Sequence, residues 1–198
     1  MWFKTQTIHH PKPDDPQQYI DSHIVEVVCF TEDYAEVVAG RLAIDYLDLM
    51  QADFSSGDIL QIADADSGGW EGLCAFTLDL NEHEPKIRDD FNVQDCVFGF
   101  GFIYEACFHP SLRPLQPFIV DAVCRTFPEE SLIFTFDDRT ELSPAERAGL
   151  GFRKVAQTNY QFRPNMLKTE YDPSDETENP DSIVVPADAE DYVNEHWS

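Results

Sequence analysis

Positive charge is what this sequence has least of. Only 13 of its 198 residues are Lys or Arg, against 38 Asp and Glu, and the formal net charge is −25. Five are Lys, set against 22 Asp. A field of that sign repels phosphate backbones and anionic membrane surfaces, so direct nucleic-acid binding and membrane adhesion are not expected. Three roles fit the acidity: solubility in high salt, attraction of a cationic small molecule or basic protein, or mimicry of nucleic acid. Residues 171–198 contribute nine acidic side chains and no Lys or Arg; the remaining excess is spread along the rest of the chain.

Long apolar runs are also missing. Nothing approaches the run of about 18 apolar residues that a membrane-spanning helix needs. The start, Met1-Trp2-Phe3-Lys4, has no apolar stretch of the kind that targets secretion. The five cysteines are scattered, odd in number and without Cys-x-x-Cys spacing, which excludes a disulfide framework and a zinc knuckle and fits buried, reduced thiols. The chain is therefore expected to be cytoplasmic. It has no Gly-x-Ser-x-Gly, His-Glu-x-x-His or phosphate-binding Gly-Lys loop. No metal site is expected. Asp64-Ala65-Asp66-Ser67-Gly68-Gly69 begins like a calcium loop, but Gly68 and Ala75 stand where oxygen ligands belong, so a capped turn is expected. His109 before Pro110 reads as a turn residue, and only folding could bring His9, His10, His83 and His109 together.

What is present is a core. Hydrophobic residues make up 42% of the chain and 15 are Phe, enough for one domain of ordinary size. Residues 1–19, with three prolines, read as an extended arm. Residues 23–30 form a β-branched strand. Residues 35–49 fit both periods, and Gly40 favours strand. Asp58 to Ala63 reads as a short strand, Ser67 as the N-cap of a helix over 68–79, and 81–95 as the longest internal loop. The run 96–108 is apolar on both faces, as a central strand is, and its Phe98, Phe100, Phe102 and Phe108 read as core. A helix over 114–127 carries the stripe Leu115, Phe118, Ile119, Ala122, Val123. Residues 131–136 form a buried strand, Ser143-Pro144-Ala145-Glu146 is a capping box opening a short helix, and Phe152–Phe162 is a last strand. From about 170 the chain reads as a flexible tail, with Ile183-Val184-Val185 the place for a short ordered piece.

The order strand, His109-Pro110, Arg113, helix, strand, capped helix, Leu150-Gly151-Phe152, strand resembles the core of the GNAT superfamily of acyl-CoA-dependent N-acetyltransferases. The likeness is most specific over 97–163. It implies a single α/β domain over 20–170, with a mixed central β-sheet flanked by helices, between the arm and the acidic tail. It also implies N-acyl transfer from acetyl-CoA to a cationic amine, small or protein-borne. The family's pyrophosphate loop aligns with Arg113-Pro114-Leu115-Gln116-Pro117-Phe118, so Arg113, Leu115, Gln116 and Phe118 become the cofactor-binding candidates. Gln116 and Phe118 replace the family's small residues, and Pro114 and Pro117 each remove an N–H. Glu105 on the central strand is the candidate base, Tyr104 a candidate acid, and Arg147 stands where the family's acid Tyr belongs. These departures keep a second role open: a non-catalytic scaffold of the same fold whose acidic surface binds a basic partner or mimics nucleic acid.

Overall fold

A computed structural model describes residues 1–9, 16–54, 59–66, 68–79, 86–93, 97–136, 139–155, 158–165 and 183–197. Its frame is a seven-stranded, mostly antiparallel sheet built around one long hairpin. Strand β1 (Trp2–Ile8) pairs antiparallel with β2 (Ile20–Phe30), and β2 with β3 (Glu36–Asp48). Three helices follow: α1 (Leu49–Phe54), α2 (Ile59–Asp66) and α3 (Gly68–Thr77). The two-residue strands β4 (Leu78–Asp79) and β5 (Lys86–Ile87) make a separate small ladder. The chain then enters β6 (Gly99–Phe108) at the sheet's centre, antiparallel to β3.

From there a 3-10 turn (Pro110–Leu115) leads into helix α4 (Gln116–Cys124), which returns the chain to β7 (Ser131–Phe136). This crossover makes β6 and β7 the one parallel pair of the seven-stranded sheet. Helix α5 (Pro144–Gly149), strands β8 (Arg153–Lys154) and β9 (Tyr160–Pro164), and helix α6 (Ala189–His196) complete the order. The strands lie side by side as β1-β2-β3-β6-β7-β9-β8. The architecture is mixed α/β.

Because side chains alternate along a strand, the sheet buries two separate layers. One holds Val25, Leu42, Ile44, Ile103 and Ile133 against Ile119, Val120 and Val123 of α4, with Leu150 and Phe152 beside them. The other is aromatic: Phe100, Phe102, Phe134, Tyr160 and Phe162 meet Trp70 and Leu73 of α3. Gly40 belongs to the first layer because a Cβ there would stand 2.6 Å from the Phe108 ring. Phe100, Phe102 and Phe108 are buried as expected, whereas Phe98 is exposed.

Helix α5 shows why the sequence reads Leu-Gly-Phe. Ser143 and Glu146 close a reciprocal capping box at its start. At its end Gly151 adopts φ 82, the Gly151 N–H donates to Ala148 O, and the Phe152 N–H donates to Arg147 O. That is a Schellman motif, in which glycine supplies the left-handed residue and the next side chain packs on the core.

Several segments differ from the sequence reading. Residues 2–8 of the expected arm are an edge strand, in which Phe3, Thr5 and Thr7 alternate with Lys4 and Gln6 along β1. Residues 59–63 belong to helix α2, where Ile59, Ile62 and Ala63 recur at helical spacing and Ile62 and Ala63 are buried. The helix expected over 114–127 begins at Gln116, so Pro117 instead of Pro114 lies in its first turn. The last strand is a hairpin, β8 against β9. Ser67 and most of the acidic tail, 166–182, lie outside the described residues. Residues 183–197, however, dock: Ile183, Val185, Ala189 and Val193 are buried, the Val185 N–H donates to Phe30 O, and Arg41 donates to Asn194. The inward side chains are few and widely spaced, so the acidic composition masks them. No helix among the described residues is long and apolar enough to cross a membrane.

Candidate functional site

The residues singled out for cofactor chemistry gather at the C-terminal end of β6. The parallel ladder with β7 runs only from Gly99↔Ser131 to Ile103↔Thr135, and β6 continues five residues further. At the point of divergence the Thr135 hydroxyl donates to Ile103 O at 3.2 Å. Beyond it β6 has lost its neighbour on that side, and the helix returning to β7 starts just past the strand's end.

A register shift lies at the same place. Ile44 faces Ile103 and Ala43 faces Glu105, which leaves Tyr104 as the extra residue of a bulge. The bulge turns Glu105 to the same side of the sheet as Ala43. Tyr104 is half-buried beside Phe102, with ring centroids 6.5 Å apart, and Glu105 is half-buried as well. Glu105 and Glu141, together with burial, push the Cys107 thiol up, burial contributing most. Carboxylates from β6 and from the segment before α5 thus converge at this end.

Arg113 is already engaged. Its Nη2 donates to Glu146 Oε2 at 2.8 Å and its Nη1 to Gln116 Oε1 at 3.0 Å, while Gln116 Nε2 donates to Glu141 Oε2 at 3.4 Å. Glu146 also accepts the Ser143 N–H at 2.7 Å, and the Arg113 guanidinium, ahead of that bond, holds its carboxyl down at about 2. Glu141 has a left-handed backbone, φ 55, rare for a residue with a side chain.

The other two cofactor candidates serve the core. Leu115 is fully buried and presents no surface to a ligand, and the half-buried Phe118 packs against the same layer. Arg147, standing at the family's acid position, is buried and donates to Leu142 O at 2.6 Å, a structural bond. His109 caps the 3-10 turn by accepting the Ser111 N–H, which agrees with a turn residue.

These observations test the fit of an acyl-CoA pyrophosphate, and the residues do not fit it. A helix start holds an anion through free N–H groups. Here the Gln116 N–H donates to Arg113 O, and Pro117 has none. The guanidinium that would pair with phosphate is already bonded to Glu146 and to Gln116, and Gln116 is in turn held by Glu141. The sequence reading missed both glutamates as site residues. Glu146 was legible as half of a capping box; its reach across to Arg113, 33 residues away, depends on the tertiary fold.

Among the described residues no three His, Cys, Asp or Glu side chains are grouped to hold a metal. No family model, no curated protein and no solved structure matches this chain.

Proposed function

We propose that this chain is a GNAT-like domain that has given up acyl-CoA and serves as a binding scaffold for a cationic partner. The order of elements supports the fold: an antiparallel hairpin, a central strand, a helical crossover to one parallel neighbour, then a capped helix ending in Leu-Gly-Phe. The Glu146–Arg113 bond supports the functional half, because a carboxylate already engages the guanidinium that a cofactor's phosphate would need. The net charge of −25 supports the partner's sign.

Calorimetric titration of the full chain tests this directly. Acetyl-CoA should give no saturable heat at low or high salt, whereas a short poly-lysine peptide should bind at low salt and weaken as salt rises. Micromolar acetyl-CoA binding that Arg113→Ala abolishes would overturn it. One observation favours the acyltransferase instead: the bulge at Tyr104 sets Glu105 where β6 runs past β7, the region the family uses for its base. Under that reading Glu105→Gln would keep acetyl-CoA binding and lose turnover.

A further inference from the structure

The opposite end of the same sheet holds a cavity of about 320 Å³. It lies over β1, β2 and β3 on the face that α4 covers. Helix α4 stops at Cys124, and the chain turns through Thr126, Phe127 and Pro128 into β7, leaving that corner of the sheet open. The floor follows from strand register. Thr5 stands opposite Val25 and Thr7 opposite His23, while Asp21 faces Tyr46 on the other neighbour, so all lie on one face.

The walls are aromatic and tightly ordered. Tyr46 stacks on Phe127 with centroids 5.3 Å apart, and the His23 ring meets Phe127 edge-on at 5.2 Å. The Tyr46 hydroxyl is anchored to the Ser131 hydroxyl at 3.0 Å. His23 Nδ1 is paired with the Thr7 hydroxyl at 3.0 Å, which sets the ring's plane. Asp21 Oδ1 is paired with His9 Nδ1, while Asp21 Oδ2 and His23 Nε2 have no hydrogen-bond partner among the described residues. The side chain of Asp21 is 36% exposed.

This lining selects by charge. It contains one carboxylate and no Lys or Arg, and burial, opposed by the Asp21 charge, lowers the pKa of His23 and so disfavours a charged imidazole. An anion would meet Asp21 and the field of the whole chain. A small organic cation would find an acceptor at Asp21 Oδ2, apolar contact along Val25 and Pro128, and ring surface at Tyr46 and Phe127. We infer that the cavity between β1–β3 and the Thr126–Pro128 turn is a binding site for a small organic ammonium compound. Asp21 pairs with the ammonium, and the Val25, Tyr46 and Phe127 surfaces take the apolar body. The inference does not rest on the acyl-CoA reading, since the two sites occupy opposite ends of β6.

Titrating the full chain with phenethylamine, tyramine and butylamine tests the assignment, with phenethyl alcohol as the uncharged isostere. At least one amine should saturate a single site with a Kd of about 1 mM or tighter, and the alcohol should bind at least tenfold more weakly (about 1.4 kcal/mol). Asp21→Asn should weaken the amine by a similar factor. Thr5→Trp, on an exposed strand position, fills the space over the floor and leaves the carboxylate in place; it should abolish binding with the melting temperature unchanged. Failure of all three amines, equal binding of amine and alcohol, or unchanged affinity in a folded Thr5→Trp variant would each overturn the assignment.

Discussion

One oxygen, Glu146 Oε2, accepts the Ser143 N–H at 2.7 Å and an Arg113 Nη2–H at 2.8 Å, so the carboxylate that caps α5 also ties it to the 3-10 turn leading into α4. Its carboxyl is held down to about 2, first by Arg113 and then by the Ser143 bonds. A depressed carboxyl stabilises the fold above its ordinary pKa of 4.5 and loses that contribution as pH falls towards about 2. Glu146→Gln should therefore be less stable than the parent at neutral pH, and the two should converge as acid is added. Urea denaturation across that window measures it. Parallel stability curves would show that the bond contributes nothing.

The docked C-terminal segment gives a second expectation. Removing residues 183–198 uncovers the surface now held by Ile183, Val185 and Val193, each a large side chain at most 8% exposed. Burying such a side chain is worth about 1.5–3 kcal/mol as an upper estimate. A domain of this size shifts by about 2–4 °C per kcal/mol, so the truncated chain should melt about 10 °C or more below the parent. A melting temperature within a few degrees of the parent would mean that the segment rests on the sheet without supporting it.

How much of this was legible beforehand depends on range. Local signals were readable: the Ser143 capping box, the glycine after α5, the apolar central strand and the stripe on α4. Ile119, Leu150 and Phe152 do share one core layer. Signals that depend on distant partners were not readable. Strand β1 is polar at most positions and becomes a strand only because β2 offers it a ladder. The tail reads as flexible because its four inward residues are single positions in a short segment rich in acids. The candidate site divided along the same line: Arg113 could be located by its place after the central strand, but not the partner Glu146 that α5 carries up to it, nor Glu141 beside Gln116, nor the bulge that turns Glu105. Asp21 and His23 are neighbours on one face of β2, but Thr5, Tyr46 and Phe127 reach them only through strand register and the turn after α4, so no motif could have announced that cavity.

The cysteines provide a chemical probe of the core. Cys29, Cys74, Cys107 and Cys124 are buried, and burial pushes Cys74 up to about 12 and Cys124 up to about 11. Only the thiolate is nucleophilic, so these thiols should resist alkylation in the folded state at mildly alkaline pH. In a Cys96→Ser background, iodoacetamide should label none of the four until denaturant unfolds the chain. Rapid labelling of Cys74 or Cys124 without denaturant would place that layer in contact with solvent.

Arg163 poses the sharpest question about stability, because it is a fully buried cation. Its Nη1 donates to Asp121 Oδ1 at 2.7 Å and to Leu150 O at 3.2 Å, and the Phe152 ring lies 5.8 Å from the guanidinium. The pair joins β9 to α4 across the layer that also holds Leu150. Breaking one half of a buried ion pair strands the other charge, which costs about 3–5 kcal/mol. Arg163→Met should cost towards the lower end of that range, because Arg125 also reaches Asp121, from an exposed position, at 2.7 Å. Replacing both partners removes the stranded charge, so Arg163→Met with Asp121→Leu should be more stable than Arg163→Met alone. Chemical denaturation of the parent, both single variants and the double variant gives the coupling. If the two single costs simply add, the ion pair is not what joins β9 to α4, and the packing around Leu150 must do so instead.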